Sequence, residues 1–150
     1  MRRSKFWSDD SGSAALEFVT AGVVLLVPLV YLVLTMAAIQ AGAFAAEGAA
    51  RQAARVFVQS GSLADAQDGA ARAMQFALAD YGIDSSTASI AVSCQPNPAS
   101  CLTRQGFVTV SIDLVMPLPL VPAFLNGDFP LEVPLHATAT QQVSRFWSAG

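Results

Sequence analysis

Charge is scarce in this chain, and one long stretch has none. Of 150 residues, 13% are Asp, Glu, Lys or Arg, and residues 18–46 carry no formal charge. Basic residues are scarcest. Lys5 is the only lysine, and only Arg51, Arg55, Arg72, Arg104 and Arg145 follow the uncharged run, so acidic residues outnumber basic ones and the net charge is -3. Nucleic acid is excluded as a partner on that ground, because phosphate binding needs a clustered basic face. Histidine occurs once, at His136, and cysteine twice, at Cys94 and Cys101. So small a set contains no nucleophile with its base, no paired acids in a cleft and no four-ligand zinc spacing, so neither cofactor nor metal is expected. Asp65, Asp68, Asp80 and Asp84 fall on or beside one expected helix and read as a solvated face. Ser11-Gly12-Ser13 lacks the pattern of a phosphate loop. The chain reads as non-enzymatic.

What the chain has in excess is apolar surface, at 53% of residues, and the excess sits near the N-terminus. As a helix, residues 18–46 would be about 43 Å long at about 1.5 Å per residue, beyond the roughly 30 Å of bilayer hydrocarbon. The segment is expected to span a membrane, with Pro28 kinking it. Arg2, Arg3 and Lys5 precede it, so the short N-terminal flank is expected to stay in the cytoplasm and the remainder to lie outside, although Asp9 and Asp10 dilute that signal. Residues 1–12 then form a cytoplasmic leader, residues 13–59 a transmembrane and extended helix, and residues 60–150 an extracytoplasmic domain. In an exported domain, two cysteines flanking the turn-rich Gln-Pro-Asn-Pro-Ala-Ser read as a disulfide, with two free thiols as the alternative. So short a loop would gain about 2 kcal/mol at most.

Beyond the span the helical composition continues to Gln59, and Glu47, Arg51 and Arg55 recur every four residues in the favourable order. Ala41, Gly42, Ala45, Ala46, Gly48, Ala49, Ala50, Ala53 and Ala54 would admit a neighbouring helix at close range, or they reflect alanine content alone. Ser60-Gly61-Ser62 breaks the pattern. Ser62 with Asp65 predicts a capping box for a second helix over residues 63–81, stopped by Gly82, with Ala66, Ala70, Ala73, Met74, Ala77 and Leu78 as its core stripe. The period then changes to two. Residues 90–94 alternate weakly; Val108, Val110, Ile112 and Leu114 alternate cleanly with Thr109, Ser111 and Asp113; Leu131, Val133, Leu135, Ala137 and Ala139 alternate again. The expected fold is α+β: a long N-terminal helix, a second helix, and a three-stranded antiparallel meander with one disulfide. His136 should point to solvent. The apolar connection 117–125 either folds over the sheet edge or meets a partner or a membrane surface.

One local constellation is more specific. Gly12-Ser13-Ala14-Ala15-Leu16-Glu17-Phe18 places a glycine, four small or apolar residues, an acid and an aromatic directly ahead of the uncharged run. A carboxylate beside hydrocarbon costs a few kcal/mol unless it is paired, less at the interface than at the centre. The heptapeptide resembles the type IV prepilin processing site, where a membrane aspartyl peptidase cuts after the glycine. With Ala49-Ala50-Arg51-Gln52-Ala53-Ala54-Arg55 outside the span and Ala137-Thr138-Ala139-Thr140 in the last strand, nearly the whole chain is similar to the TadE-like family of tight-adherence (Flp) pilus assembly. Phe18 stands where major pilins of that system usually have tyrosine, and Pro28 lies later after the acid than in the family pattern.

That resemblance implies a minor pseudopilin anchored in the lipid bilayer by a single span. Gly12 and Ser13 would flank the bond cut by a prepilin peptidase. Glu17 and Phe18 would serve subunit assembly, with Glu17 neutralised by the new N-terminal amine of a neighbouring pilin or pseudopilin. Two rivals come from other classes. Ala41-Gly42-Ala43 and Ala43-Phe44-Ala45 fit the small-x-small rule of signal peptidase, which would release a secreted binding domain starting at Phe44 or Ala46. A membrane-anchored enzyme would need the three strands to assemble a site that the sequence does not show, and abolition of an activity by His136→Ala would be its first support.

Overall fold

The computed structural model of the chain describes residues 13–119 and 131–148. The leader with Gly12, and most of the apolar connection 117–125, lie outside the described residues. The chain divides into two compact units, residues 1–36 and 37–150, and helix α1 (Ser13–Gln59) contributes to both.

In the first unit, α1 is a continuous apolar helix that passes through Pro28. Leucine, valine and alanine keep it helical without needing tertiary contacts, and in lipid every backbone polar group must be satisfied within the segment. Thr35 Oγ1 donates to the Tyr31 carbonyl at 2.8 Å. From Ala14 to Ala37 every residue is exposed except Gly22 and Thr35, which are intermediate, and the most apolar window of the helix has a mean hydropathy of 2.6. By length and composition it can cross a membrane.

The second unit begins where that exposure ends. Its sheet has the order β1 (Ala88–Gln95), β2 (Phe107–Pro117), β3 (Glu132–Gln142), antiparallel throughout. Ile112 lies opposite Ile90 on one side and Ala137 on the other, so the expected alternation on β2 and β3 falls in register on one face. Val108, Val110, Ile112 and Leu114 on that face are at most 1% exposed. The α1 residues Ala45, Ala46, Ala49, Ala50, Ala53, Ala54 and Phe57 are buried as completely and belong to the same core. The small residues are therefore used within the chain. Alanines bring the α1 backbone down onto the sheet, and where a side chain would intervene there is none: a Cβ on Gly42 would lie 2.8 Å from both Leu135 Cδ1 and Met116 Cγ.

Helix α2 (Leu63–Ala79) completes the cover with Ala66, Ala70, Met74 and Leu78. It approaches α1 at Gly69, where a Cβ would stand 2.8 Å from Val56 Cγ1. Its start is capped as expected: the Ser62 hydroxyl accepts from the Asp65 N–H at 3.1 Å. The Asp65 carboxylate, however, accepts from that same hydroxyl at 2.7 Å, where a full capping box would have it take the Ser62 backbone N–H. At the other end Gly82 has φ +68°, its N–H donates to the Ala79 carbonyl at 2.9 Å, and the Ile83 N–H donates to the Leu78 carbonyl at 3.1 Å. This is a Schellman stop with glycine in the left-handed position.

A 3-10 turn at Ser85–Thr87 leads into β1. Asp84 caps it by accepting from the Ser86 N–H at 2.8 Å, and that bond holds the carboxyl below its ordinary range. Cys94 and Cys101 form the expected disulfide across the β1–β2 connection, with Cα atoms 5.1 Å apart. After β3 the chain returns to this same end of the sheet. Val143 exchanges backbone hydrogen bonds with Gln105 and Gly106, Arg104 Nε donates to the Trp147 carbonyl at 2.8 Å, and Trp147 Nε1 donates to the Ser60 carbonyl at 2.9 Å.

Two glycines of α1 should respond oppositely to substitution. Gly48 has open space where a Cβ would go, so Gly48→Ala should stabilise by up to about 1 kcal/mol through helix propensity. Gly42→Leu forces a branched side chain between α1 and the sheet and should cost about 1–3 kcal/mol. Thermal unfolding of the full chain in detergent micelles would separate the two signs. Replacing Cys94 and Cys101 together by alanine should lower stability by about 2 kcal/mol in the same assay. The unreduced parent should show no thiol reactive to maleimide, since both cysteines are in the disulfide.

Candidate functional site

Of the processing motif, the described part begins with Ser13, the first residue of α1. Leu16 is 71% and Phe18 80% exposed, and Glu17 is exposed between them. The helix packs none of these side chains against the described fold. Among the described residues Glu47 pairs with Arg51 at 3.2 Å and Asp113 hydrogen-bonds with His136 at 2.7 Å, so no basic residue there pairs with Glu17. A carboxylate flanked by exposed leucine and phenylalanine is suited to a cation supplied by another chain or to the headgroup layer. Exposed apolar surface continuous from Leu16 to Met36 is suited to lipid or to other apolar helices.

The other sequence candidates are dispersed. His136 lies on the solvent-facing side of β3 as expected, and its Nδ1 meets Asp113 Oδ1 on β2. Sequence reasoning missed this partner, because the pairing follows only from the β2–β3 register. The next residue in the row, on β1, is Ser89. Serine, aspartate and histidine thus share one row, but with Asp113 in the middle. Ser89 and His136 are two strand spacings apart, about 10 Å, whereas a nucleophile and its base must touch. The row cannot work as a relay in this register. The same face carries Thr109 bonded to Thr140 through their hydroxyls at 2.8 Å, a cross-strand pair that stabilises the sheet.

Two of the four aspartates on or beside α2 have partners. Asp65 is engaged by Ser62 and Asp84 by Ser86, and among the described residues no three His, Cys, Asp or Glu side chains gather as metal ligands. An open groove of about 520 Å³ lies between α1 and α2, lined by Gln52, Val56, Arg72, Phe76 and Asp80. It pairs an exposed aromatic with one charge of each sign and holds no nucleophile. A smaller one of about 210 Å³ lies between the α1–α2 turn and the disulfide loop, with Trp147 on its wall. The feature with distinct chemistry is therefore the start of α1, an acid at the head of an exposed apolar helix. No family model, curated protein or solved structure matches the chain.

Proposed function

We propose that the chain is a non-enzymatic minor pseudopilin of the TadE-like kind, taking part in tight-adherence pilus assembly at the cytoplasmic membrane. The carrying observation is the exposed Glu17, with no basic partner among the described residues, at the head of an apolar helix whose surface is exposed as far as Met36. On this reading the leader faces the cytoplasm, the span is single, and the folded unit stands outside. The disulfide supports that side, since structural disulfides persist in oxidising compartments. Prepilin peptidase would cut between Gly12 and Ser13. The amine so created on one subunit would neutralise Glu17 on another, and Phe18 would add apolar contact within the helix assembly.

Release by signal peptidase fits less well. Cleavage after Ala43 or Ala45 would strip Gly42, with the half-buried Ala38, Ile39 and Ala41, from the core and uncover Met116 and Leu135. The processed N-terminus separates the two. Protein purified from membranes that contain the peptidase should begin at Ser13 by mass spectrometry; Met1 intact would remove the processing step, and a start at Phe44 or Ala46 in the medium would establish secretion. Glu17→Gln should leave cleavage intact yet reduce cross-linking to neighbouring subunits about tenfold, as loss of about 1.4 kcal/mol would.

A further inference from the structure

At one end of the sheet, apolar side chains continue past the point where helix covers them. The β2–β3 ladder extends beyond its assigned strands, with the Leu118 N–H donating to the Leu131 carbonyl at 3.1 Å. Leu118 and Leu131 therefore follow Met116 and Val133 on the core-facing side. Met116 and Leu135 sit on Gly42, but Leu131 is 43% exposed and Leu118 half-buried. Two residues of strand carry this pair about 7 Å past Met116, equivalent to four or five residues of helix before Gly42. That is the level of Ala37 and Ala38, where α1 residues change from exposed to partly buried. The opposite end of the sheet differs. There the disulfide, Arg104 and Trp147 tie the chain to Ser60, the residue that follows α1.

We propose that the Leu118–Leu131 end of the sheet is a lipid-contacting foot, seated at the headgroup and acyl boundary of the membrane that α1 crosses. This rests on the membrane-spanning reading of α1 and adds a second, peripheral contact to it. Among the described residues the contact is apolar: Glu132, the nearest charge on this ladder, pairs across to Pro117 on the other face. The foot would fix how far the folded unit stands from the membrane and resist its tilting, because two separated contacts define an orientation that a single helix leaves free.

Brominated-lipid quenching tests this on the full chain in phosphatidylcholine vesicles, with bromine near the headgroup for the foot probes and at mid-chain for the span control. The added fluorescence of Leu131→Trp and, as a second probe, Leu118→Trp is read against the parent, which subtracts Trp7 and Trp147. Both should fall about twofold on bromination, as interfacial indoles would, alongside Leu26→Trp in the span, whereas Phe107→Trp at the far end should not change. Quenching of Leu26→Trp without either foot probe would overturn the foot and leave the span standing. Quenching of Phe107→Trp as strongly as the foot probes would also overturn it, by showing contact that is not confined to this end. If Leu26→Trp itself is unquenched, the membrane reading fails and the foot with it.

Discussion

The fold depends on how closely α1 lies to the sheet. Val108, Val110 and Ile112 have no solvent exposure, and the residues of α1 buried in the same core are alanines until Phe57. Alanine is both the best helix former and the thinnest side chain that still excludes water, so the same choice keeps α1 helical and permits the close approach. A larger residue at Ala46, Ala50 or Ala54 would displace the sheet from the helix and open gaps around the β-branched row. Gly42 is the limit of this trend, needed where Met116 and Leu135 close over the backbone. Helix α2 can then be short, because it has only to cover the remaining flank with Met74 and Leu78.

The same contact sets the length of helix available to lipid. Taken alone, the uncharged run 18–46 looks too long for a bilayer. Since partial burial begins at Ala38, the lipid-accessible portion covers about 20 residues, about 30 Å, which matches the hydrocarbon thickness. The surplus apolar residues form half of a protein core. Composition conceals this division, because lipid and a valine-rich sheet both select uncharged residues. What distinguishes the two stretches is size: leucine and valine dominate up to Leu34, and alanine and glycine thereafter.

Elements were legible where the pattern was local. The end of α1 at Gln59, the Ser62 cap, the glycine stop at Gly82 and the alternation of β2 depend on residues within a few positions of one another, and the structure has each of them. The disulfide was legible for the same reason. Strand β1 extends to Ala88 at one end and Gln95 at the other, beyond the 90–94 expected, because its serines and alanines alternate weakly and its limits come from pairing with Leu114 and Phe107. The alanine stripe was ambiguous by nature: a small residue permits close approach without specifying what approaches. The Trp147–Ser60 bond joins positions 87 residues apart and leaves no periodic trace, and the Asp113–His136 pair depends on register.

On the proposed reading, the acid at the head of α1 differs from all of these, since its meaning depends on a bond the chain does not break by itself. In the uncut chain, Ser13 has an amide nitrogen, and among the described residues Glu17 has no basic partner. On the proposed reading, cleavage creates an ammonium at Ser13, about 6 Å up the axis from Glu17 of the same helix. That distance gives Coulomb attraction, which in the headgroup layer is weakened by water. A second helix displaced by about one turn brings its own amine level with the carboxylate, where contact and charge assistance are both available. On the proposed reading, pairing between chains sets a fixed axial offset. Such an offset is what a regular helical array of subunits would need.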